Sequence, residues 1–347
     1  SNLAMLAILP TAVLSLATTT PRTVVVAGAT GRSGRLVVEE LLKAPDTQVR
    51  AIVRNATKAA DVLPTHPDLS LFECDLADTT DAVVKEACTS AAGLIWCASG
   101  FTSDGVSLDA KGMQEFTQGL KAAGRSDARL VMLSSAGVTR TAWDDAKKEA
   151  LVGAADIPII RLNPGNILDK KREAEELLRN SGVPYCVVRP TGLKDDWPAG
   201  RPILSQGDVA VGRTTPTDLA SVLVSAVDEP HAAGKTFEMF TLAGYPAPSD
   251  GLSTALAGLT PDAAGPLPET RVTAAYELLQ QLLPGEAQDA TRLEMGRTYE
   301  QVDAGEVSRE RGAAPTAREQ AIASAALESI TTPAPRKRDA VKRFFGL

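Results

Sequence analysis

Tyrosine, histidine and cysteine are scarce in this sequence of 347 residues, which has four tyrosines, two histidines and four cysteines. The cysteines form no Cys-x-x-Cys pair and stand in largely apolar stretches, at Cys74, Cys88, Cys97 and Cys186. This pattern argues against a zinc site and a disulfide framework, and it favours a reducing compartment. We predict no metal site. Because tyrosine and histidine are so few, a mechanism that needs either one can be tested residue by residue.

An excess of positive charge is also missing. Lysine and arginine number 36 against 43 acidic residues, which gives a net charge of −7. The chain as a whole therefore lacks the basic surface of a nucleic-acid binder, and we predict no nucleic-acid partner. With 44% hydrophobic residues the chain is long enough to bury a sizeable core, and it is longer than a minimal single domain.

Residues 1–20 carry no charged side chain, and the apolar stretch from Leu3 to Ala17 is interrupted only by Pro10, Thr11 and Ser15. A membrane span needs roughly 20 apolar residues, so this segment is a poor transmembrane helix. It reads better as the apolar core of a targeting peptide, although the usual basic residues before it are missing. The alternative is an apolar arm that packs on the fold.

Residues 21–245 show short β-branched runs that alternate with amphipathic helical stretches. This alternation is typical of βαβ units and predicts an α/β fold with a doubly wound parallel sheet. The predicted strands are Thr23–Ala27, Gln48–Arg54, Leu69–Cys74, Gly93–Ala98, Arg129–Ser134, Tyr185–Arg189 and Thr236–Phe240. The predicted helices are Ser33–Lys43, Asp81–Thr89, Leu108–Ala123, Leu168–Asn180 and Thr217–Val227.

Residues 246–347 are rich in Ala, Pro, Gly and Thr and contain one convincing amphipathic helix, Arg271–Leu283. We predict a C-terminal extension that is partly helical or disordered, because it offers little apolar surface for burial. Its end is basic and includes Phe344 and Phe345. This end predicts a solvated tail or, as the sharper alternative, a weak contact with an anionic membrane or a protein.

Three glycines follow the first predicted strand at a Gly-x-x-Gly-x-x-Gly spacing: Gly28, Gly31 and Gly34. Glycine allows the tight turn from strand to helix and lets the backbone approach a pyrophosphate. The N–H groups at the start of the following helix can then bind phosphate, where the helix dipole is positive. The loop predicts a dinucleotide site of the Rossmann type, with cofactor contacts also from Thr30, Arg32 and Ser33.

The end of the second predicted strand decides the choice of dinucleotide. An NAD site places Asp or Glu there to bind the ribose hydroxyls, whereas this chain has Arg54. Arg54, together with Arg32, suits the 2′-phosphate of NADP, so we predict NADP or NADPH as cofactor. Two further pairs follow the third and fourth strands and are expected to meet the adenine and the ribose: Asp75 and Leu76, and Cys97 and Ala98.

Several motifs together resemble the atypical short-chain dehydrogenase/reductase superfamily, in particular its NmrA-like, NAD(P)-binding branch of plants, algae and cyanobacteria. The resemblance covers about Thr23 to Leu242 and is specific for the superfamily but for no substrate. It is carried by Gly28-Ala29-Thr30-Gly31-Arg32-Ser33-Gly34, Val53-Arg54-Asn55, Cys74-Asp75-Leu76, Leu133-Ser134-Ser135-Ala136-Gly137-Val138, Lys171-Arg172-Glu173-Ala174-Glu175 and Val188-Arg189-Pro190-Thr191-Gly192-Leu193.

The resemblance implies roles for residues near the nicotinamide. Arg189, Pro190, Thr191 and Gly192 would lie beside it, and Ser134 and Ser135 stand where the family keeps its polarising serine. Lys171 occupies the lysine position of the family's Tyr-x-x-x-Lys pair, but the tyrosine position holds Ile167. None of the four tyrosines has a lysine four residues later. Lys171 shares a helical face with apolar residues and is expected to point inward, the alternative being an exposed lysine.

Two functions remain open at this point. The first is an NADPH-dependent reductase of a small organic substrate, with Lys171 as proton donor and Ser134 and Ser135 as polarising groups. The second is a non-catalytic regulatory or scaffold protein that binds NADP(H), for which the missing tyrosine is no loss. The family and the apolar N-terminal segment favour a plastid location, with the cytoplasm as the alternative.

Overall fold

The computed structural model describes residues 21–282. Its strands are β1 (Arg22–Ala27), β2 (Thr47–Val53), β3 (Leu69–Glu73), β4 (Ala91–Trp96), β5 (Arg129–Leu133), β6 (Tyr185–Pro190), β7 (Gly192–Leu193), β8 (Gly200–Ser205), β9 (Arg213–Thr214) and β10 (Lys235–Ala243). Its α-helices are α1 (Arg32–Leu41), α2 (Ala56–Ala59), α3 (Asp81–Ala87), α4 (Leu108–Ala122), α5 (Asp145–Ala150), α6 (Val152–Ala155), α7 (Pro158–Leu162), α8 (Ile167–Arg179), α9 (Pro216–Asp228), α10 (Ser253–Ala257) and α11 (Glu269–Leu282).

Eight strands form one sheet in the order β3-β2-β1-β4-β5-β6-β10-β8. All neighbours are parallel except β8, which runs antiparallel to β10 at the edge. β7 and β9 form a separate small sheet. The predicted α/β fold with a Rossmann-type sheet is confirmed. The strand order reverses between β1 and β4, and in such sheets ligands bind beyond the carboxyl ends of the strands at that reversal.

Helices cover both faces of the sheet because β1 alternates its apolar side chains between two cores. Val24 and Val26 face one core, which they share with residues of α1 and α9. Val25 and Ala27 face the other core, which they share with residues of α3, α4 and α8. All four side chains are fully buried. A strand that is apolar on both faces is expected where helices pack on both sides of a parallel sheet.

A third apolar cluster joins the C-terminal part of the described chain to its middle and to strand β10. Val272 and Leu279 of α11 pack with Trp143, Ile157 and Val209. The hydroxyl of Tyr276 on α11 accepts a hydrogen bond from the backbone N–H of Gly153 at 3.0 Å. Residues 246–282 therefore contribute to the packed structure. The predictions of a targeting segment in residues 1–20 and of a basic tail fall outside the described residues.

All seven predicted strands and all six predicted helices have counterparts in the structure, with ends that shift by up to three residues. The elements without a predicted counterpart are the strands β7, β8 and β9 and the short helices α2, α5, α6, α7 and α10. Among residues 21–282, no helix has the length and apolar character that crossing a membrane requires.

Candidate functional site

Except for Lys171, which lies on α8, the predicted site residues lie at or just after the carboxyl ends of β1 to β6. Because those strands are parallel, the loops meet at one edge of the sheet. The glycine loop follows β1, Arg54 follows β2, Asp75 and Leu76 follow β3, Cys97 and Ala98 follow β4, Ser134 and Ser135 follow β5, and Arg189 and Pro190 end β6, with Thr191 and Gly192 next. Their contacts with a cofactor stay predictions.

The glycine loop is packed so closely that side chains would not fit at two of its positions. Gly28 has a φ of +76°, and a Cβ there would lie 2.6 Å from the backbone nitrogen of Ala98. A Cβ on Gly34 would lie 2.1 Å from the carbonyl oxygen of Gly28. The loop therefore brings β1, α1 and the end of β4 into direct backbone contact, which is the arrangement a bound pyrophosphate needs.

Helix α1 begins without a capping side chain, because its N-cap residue is Gly31. The N–H of Gly31 is used within the loop and donates to the carbonyl oxygen of Gly28 at 3.0 Å. In the first turn of a helix the N–H groups, here of Arg32, Ser33 and Gly34, have no intrahelical acceptor. These amides and the helix dipole fit a dinucleotide pyrophosphate, so the residues present match the group that the loop predicts.

Arg54 and Arg32 differ in their hydrogen bonds and ion pairs with the rest of the described chain. Arg54 is exposed, and within residues 21–282 it makes no hydrogen bond or ion pair. Arg32 faces Asp195, with 3.8 Å between a guanidinium nitrogen and a carboxylate oxygen, and both side chains are largely exposed. Such an exposed pair contributes little stability, so Arg32 can turn toward a phosphate. Both cations are available to an anionic ligand.

Ser134 and Arg189 are tied together under the edge by the buried carboxylate of Glu175. The Ser134 hydroxyl donates to Oε1 of Glu175 at 2.6 Å. Arg189 donates twice to the same carboxylate, from Nε at 2.9 Å and from Nη2 at 2.6 Å. Burial alone would raise the pKa of Glu175, but the charge and hydrogen bonds of Arg189 reverse this, so its pKa lies below the ordinary value. Glu175 is therefore a buried anion.

The loop after β5 is held by Asp208, which lies about 70 residues later in the chain. One carboxylate oxygen accepts from the N–H of Gly137 at 2.7 Å. The other accepts from the N–H and the hydroxyl of Thr139, at 2.8 Å and 2.7 Å. Nε of the buried Arg140 donates to the Asp208 carbonyl at 2.7 Å. Asp208 thus fixes the backbone that follows Ser134 and Ser135.

Lys171 points inward, as the helical face predicted, and its side chain is only 11% exposed. Its Nζ lies 3.0 Å from a carboxylate oxygen of Asp109 and 3.4 Å from the carbonyl oxygen of Leu133, the last residue of β5. Ser135 lies nearby in the chain, half-buried, and its hydroxyl donates to the carbonyl of Ala136 at 3.0 Å. Lys171 and Ser135 are therefore the predicted catalytic residues that are not held by Glu175.

Asp109 and Asp208 are not among the predicted site residues, and the sequence motifs assign no role to Glu175. The signal was present only in part, because an acidic residue on an apolar helix face is an indication of a buried partner. Asp109 is 1% exposed and Glu175 is fully buried. In the described part of the chain, no three His, Cys, Asp or Glu side chains form a group that could hold a metal ion.

A family model described as NAD(P)H-binding matches residues 28–230, more than half of the 347-residue chain. The chain belongs to this NAD(P)H-binding family. The NAD(P)-binding family that the sequence motifs predict is thereby confirmed. An uncharacterized chloroplastic protein of Arabidopsis thaliana is 30% identical over 227 residues, which cover 64% of this chain and 78% of that protein.

Two further proteins are similar to this chain, one in sequence and one in fold. Quinone oxidoreductase 2 of Escherichia coli is 24% identical over 233 residues, which cover 62% of this chain and 68% of that enzyme. The solved structure of an oxidoreductase from Lactococcus lactis has 18% identity and a TM-score of 0.54, and it covers 68% of this chain and 96% of that chain. At that identity the second likeness shows the fold alone.

Proposed function

We propose that this NAD(P)H-binding protein is an NADPH-dependent reductase of a small organic substrate. The observation that carries the choice of NADPH is Arg54, an exposed cation without a protein partner in the described chain, directly after β2. An arginine there suits the doubly charged 2′-phosphate, whereas NAD would lack its carboxylate acceptor. Arg32 on the adjacent loop supports the same choice.

A bound NADPH supplies a hydride to an electrophilic carbon of the substrate. The glycine loop and the first turn of α1 would hold the pyrophosphate. Lys171 would donate a hydrogen bond at the nicotinamide side and would supply the proton that completes the reduction. The Ser134 hydroxyl already donates a hydrogen bond to Glu175. We therefore propose Ser135 as the hydroxyl that polarises the substrate, since a hydroxyl can rotate to a new acceptor. The related quinone oxidoreductase of Escherichia coli supports the class of reaction.

The cofactor assignment is tested by Arg54→Asp. We expect the unchanged protein to bind NADPH about 10- to 100-fold more tightly than NADH, the range that charge-assisted hydrogen bonds supply. Arg54→Asp should abolish this preference in a fluorescence titration with both cofactors. Arg271→Asp, a change of the same charge at an exposed position of α11, should keep it. Equal affinity of the unchanged protein for NADH and NADPH would contradict the role of Arg54.

The reductase assignment is tested by incubation with quinones, enones and aldehydes while the loss of reduced nicotinamide is followed. Oxidation of NADPH that depends on one of these substrates supports the proposal. Tight binding of NADPH without turnover of any of them would favour the alternative, an NADP(H)-sensing regulatory protein. Two observations favour that alternative: Ile167 stands at the tyrosine position, and the Ser134 hydroxyl already donates its hydrogen bond to Glu175.

We also propose a plastid location, supported by the chloroplastic relative of Arabidopsis thaliana and by the apolar, uncharged residues 1–20. A fluorescent protein fused after residue 347 should accumulate in plastids, and removal of residues 1–20 should reduce that import. Fluorescence that stays in the cytoplasm with the full sequence would contradict the proposal.

A further inference from the structure

The ammonium group of Lys171 lies where the carboxyl ends of β4 and β5 meet. It contacts the carbonyl oxygen of Leu133, which ends β5, at 3.4 Å. Burial raises the pKa of the Cys97 thiol to about 12, and the positive charge of Lys171 opposes that rise, which is consistent with an ammonium close to the residue after β4. Lys171 therefore reaches from α8 to the carboxyl edge of the sheet, beside strand β4, at which the strand order reverses.

An ammonium group has three hydrogen-bond donors, and two of them have protein acceptors here. One N–H points to Asp109 and one to Leu133. Among residues 21–282 the third has no acceptor. The Lys171 side chain is 11% exposed, so a ligand at this edge of the sheet can reach that N–H. A ribose hydroxyl of a bound dinucleotide is an acceptor of the right kind at this edge.

Asp109 is the side chain that fixes this ammonium. It stands in the first turn of α4, is 1% exposed, and directs its carboxylate to Lys171 at 3.0 Å. A lysine side chain is flexible and loses much rotamer freedom when it is held in one position. A buried carboxylate that has a single cationic partner holds that partner because separation would leave both charges buried and unpaired.

We propose that Asp109 is a positioning residue that holds Lys171 so that its third N–H points to the nicotinamide half of the dinucleotide. The inference rests on the proposed function, since it needs a dinucleotide at this edge. Asp109 touches neither cofactor nor substrate and acts through Lys171. The ion pair with Asp109 thereby orients Lys171 in a chain that lacks the tyrosine of the Tyr-x-x-x-Lys pair.

The proposal is tested by measuring the affinity of Asp109→Asn for two ligands. NADPH carries the nicotinamide ribose, whereas adenosine 2′,5′-bisphosphate carries only the adenosine half that Arg54 would bind. We expect Asp109→Asn to weaken NADPH binding about 10- to 100-fold, the contribution of one charge-assisted hydrogen bond. Binding of adenosine 2′,5′-bisphosphate should change by less than about twofold. A general loss of structure would weaken both ligands alike.

A double-mutant cycle shows whether Asp109 acts through Lys171. Lys171→Met alone leaves a buried carboxylate unpaired, so the double variant Asp109→Asn/Lys171→Met, which removes both charges, is the better-folded reference. We expect the double variant to bind NADPH no more weakly than Lys171→Met. Asp109→Glu keeps the charge and should restore part of the affinity that Asp109→Asn loses.

Glu115→Gln is the matched control, because Glu115 lies on the same helix and forms an ion pair with Lys111 outside the proposed site. It should leave both affinities unchanged. Unchanged NADPH affinity of Asp109→Asn, or an equal loss for both ligands, would overturn the inference and leave the proposed function intact. Failure of the unchanged protein to bind NADPH would overturn both.

Discussion

Two buried acidic side chains lie side by side beneath the candidate site, Asp208 and Glu238. The backbone N–H of Val209 donates to Glu238 at 3.3 Å, and Glu238 pairs in register with Arg189 across β10 and β6. Burial pushes the pKa of Asp208 upward, but the charges of Arg140 and Arg189 more than reverse this, so its pKa lies below the ordinary value. Burial and the charge of Asp208 raise the pKa of Glu238 from 4.5 to about 7.

At the residue scale, this raised pKa predicts a stability that depends on pH. The folded protein holds the proton of Glu238 more tightly than the unfolded chain, so the free energy of unfolding falls as the pH rises from about 4.5 to about 7. The slope from this group is at most about 1.4 kcal/mol per pH unit. Glu238→Gln should lose that slope and so gain stability relative to the unchanged protein between pH 5 and pH 8.

Urea unfolding of both proteins at these two pH values measures the difference. Glu39→Gln, which changes an exposed glutamate on α1, should unfold with the pH dependence of the unchanged protein. A Glu238→Gln variant with that same pH dependence would contradict the raised pKa.

At the scale of elements, the contact between the glycine loop and α1 sets the distance between β1 and its helix. Gly34→Ala places a methyl group 2.1 Å from the carbonyl oxygen of Gly28, so helix and loop must move apart. We expect a loss of about 1 to 3 kcal/mol in the free energy of unfolding, which is typical of overpacking. NADPH binding should also weaken, since the amides of the first turn move with the helix.

Denaturant unfolding and a fluorescence titration with NADPH check both parts of this prediction. The control is Gly258→Ala at the end of α10, where the nearest atom to an added Cβ lies at an ordinary 3.5 Å. A Gly34→Ala protein as stable as this control would contradict the prediction, because the loop would then accommodate the methyl group with no loss in the free energy of unfolding.

The elements that the sequence predicts are those whose pattern is local. The parallel strands are short apolar runs, and α1 shows its buried face through Val37, Val38 and Leu41. The sequence does not predict strand β8, because the strand carries Pro202 and is defined by its antiparallel pairing with β10, which is distant in the chain. The sequence does not predict helices α5, α6 and α7 either, because each has six residues or fewer and is too short to show a clear 3.6-residue period.

The residues of the candidate site show the same difference between local patterns and partners that are distant in the chain. The glycine loop and Arg54 stand in sequence at the ends of strands, so their position at the edge follows from a local pattern. Asp109 and Lys171 are 62 residues apart, and Gly137 and Asp208 are 71 apart. Such partners meet only through the packing of distant elements, which single-sequence patterns do not encode.

At the scale of the whole molecule, Asp262 attaches the part of the chain beyond residue 245 to the sheet. One carboxylate oxygen accepts from the backbone N–H of Thr236 at 2.9 Å. The other accepts from the Thr236 hydroxyl at 2.6 Å, from Tyr185 at 3.0 Å and from Arg179 at 3.2 Å. These donors lie on β10, β6 and α8, so one side chain joins three elements.

Asp262→Ala should therefore lower the free energy of unfolding by about 2 to 4 kcal/mol, because it leaves several partly buried donors without an acceptor. Chemical denaturation measures this loss. Asp127→Ala removes a carboxylate that is 73% exposed and paired only at the surface, and it should change stability by less than about 0.5 kcal/mol. Equal effects of the two substitutions would contradict the role of Asp262.

The contact between Tyr276 and Gly153 joins residues that are 123 positions apart in the chain. A ribosome adds about 5 to 20 residues per second, so Tyr276 is synthesised about 6 to 25 s after Gly153. Until then the apolar side chains around Trp143 and Ile157 lack their packing partners on α11. During this interval the nascent chain exposes an incomplete core. The middle of the protein is thus the region for which we expect the greatest dependence on chaperones during translation.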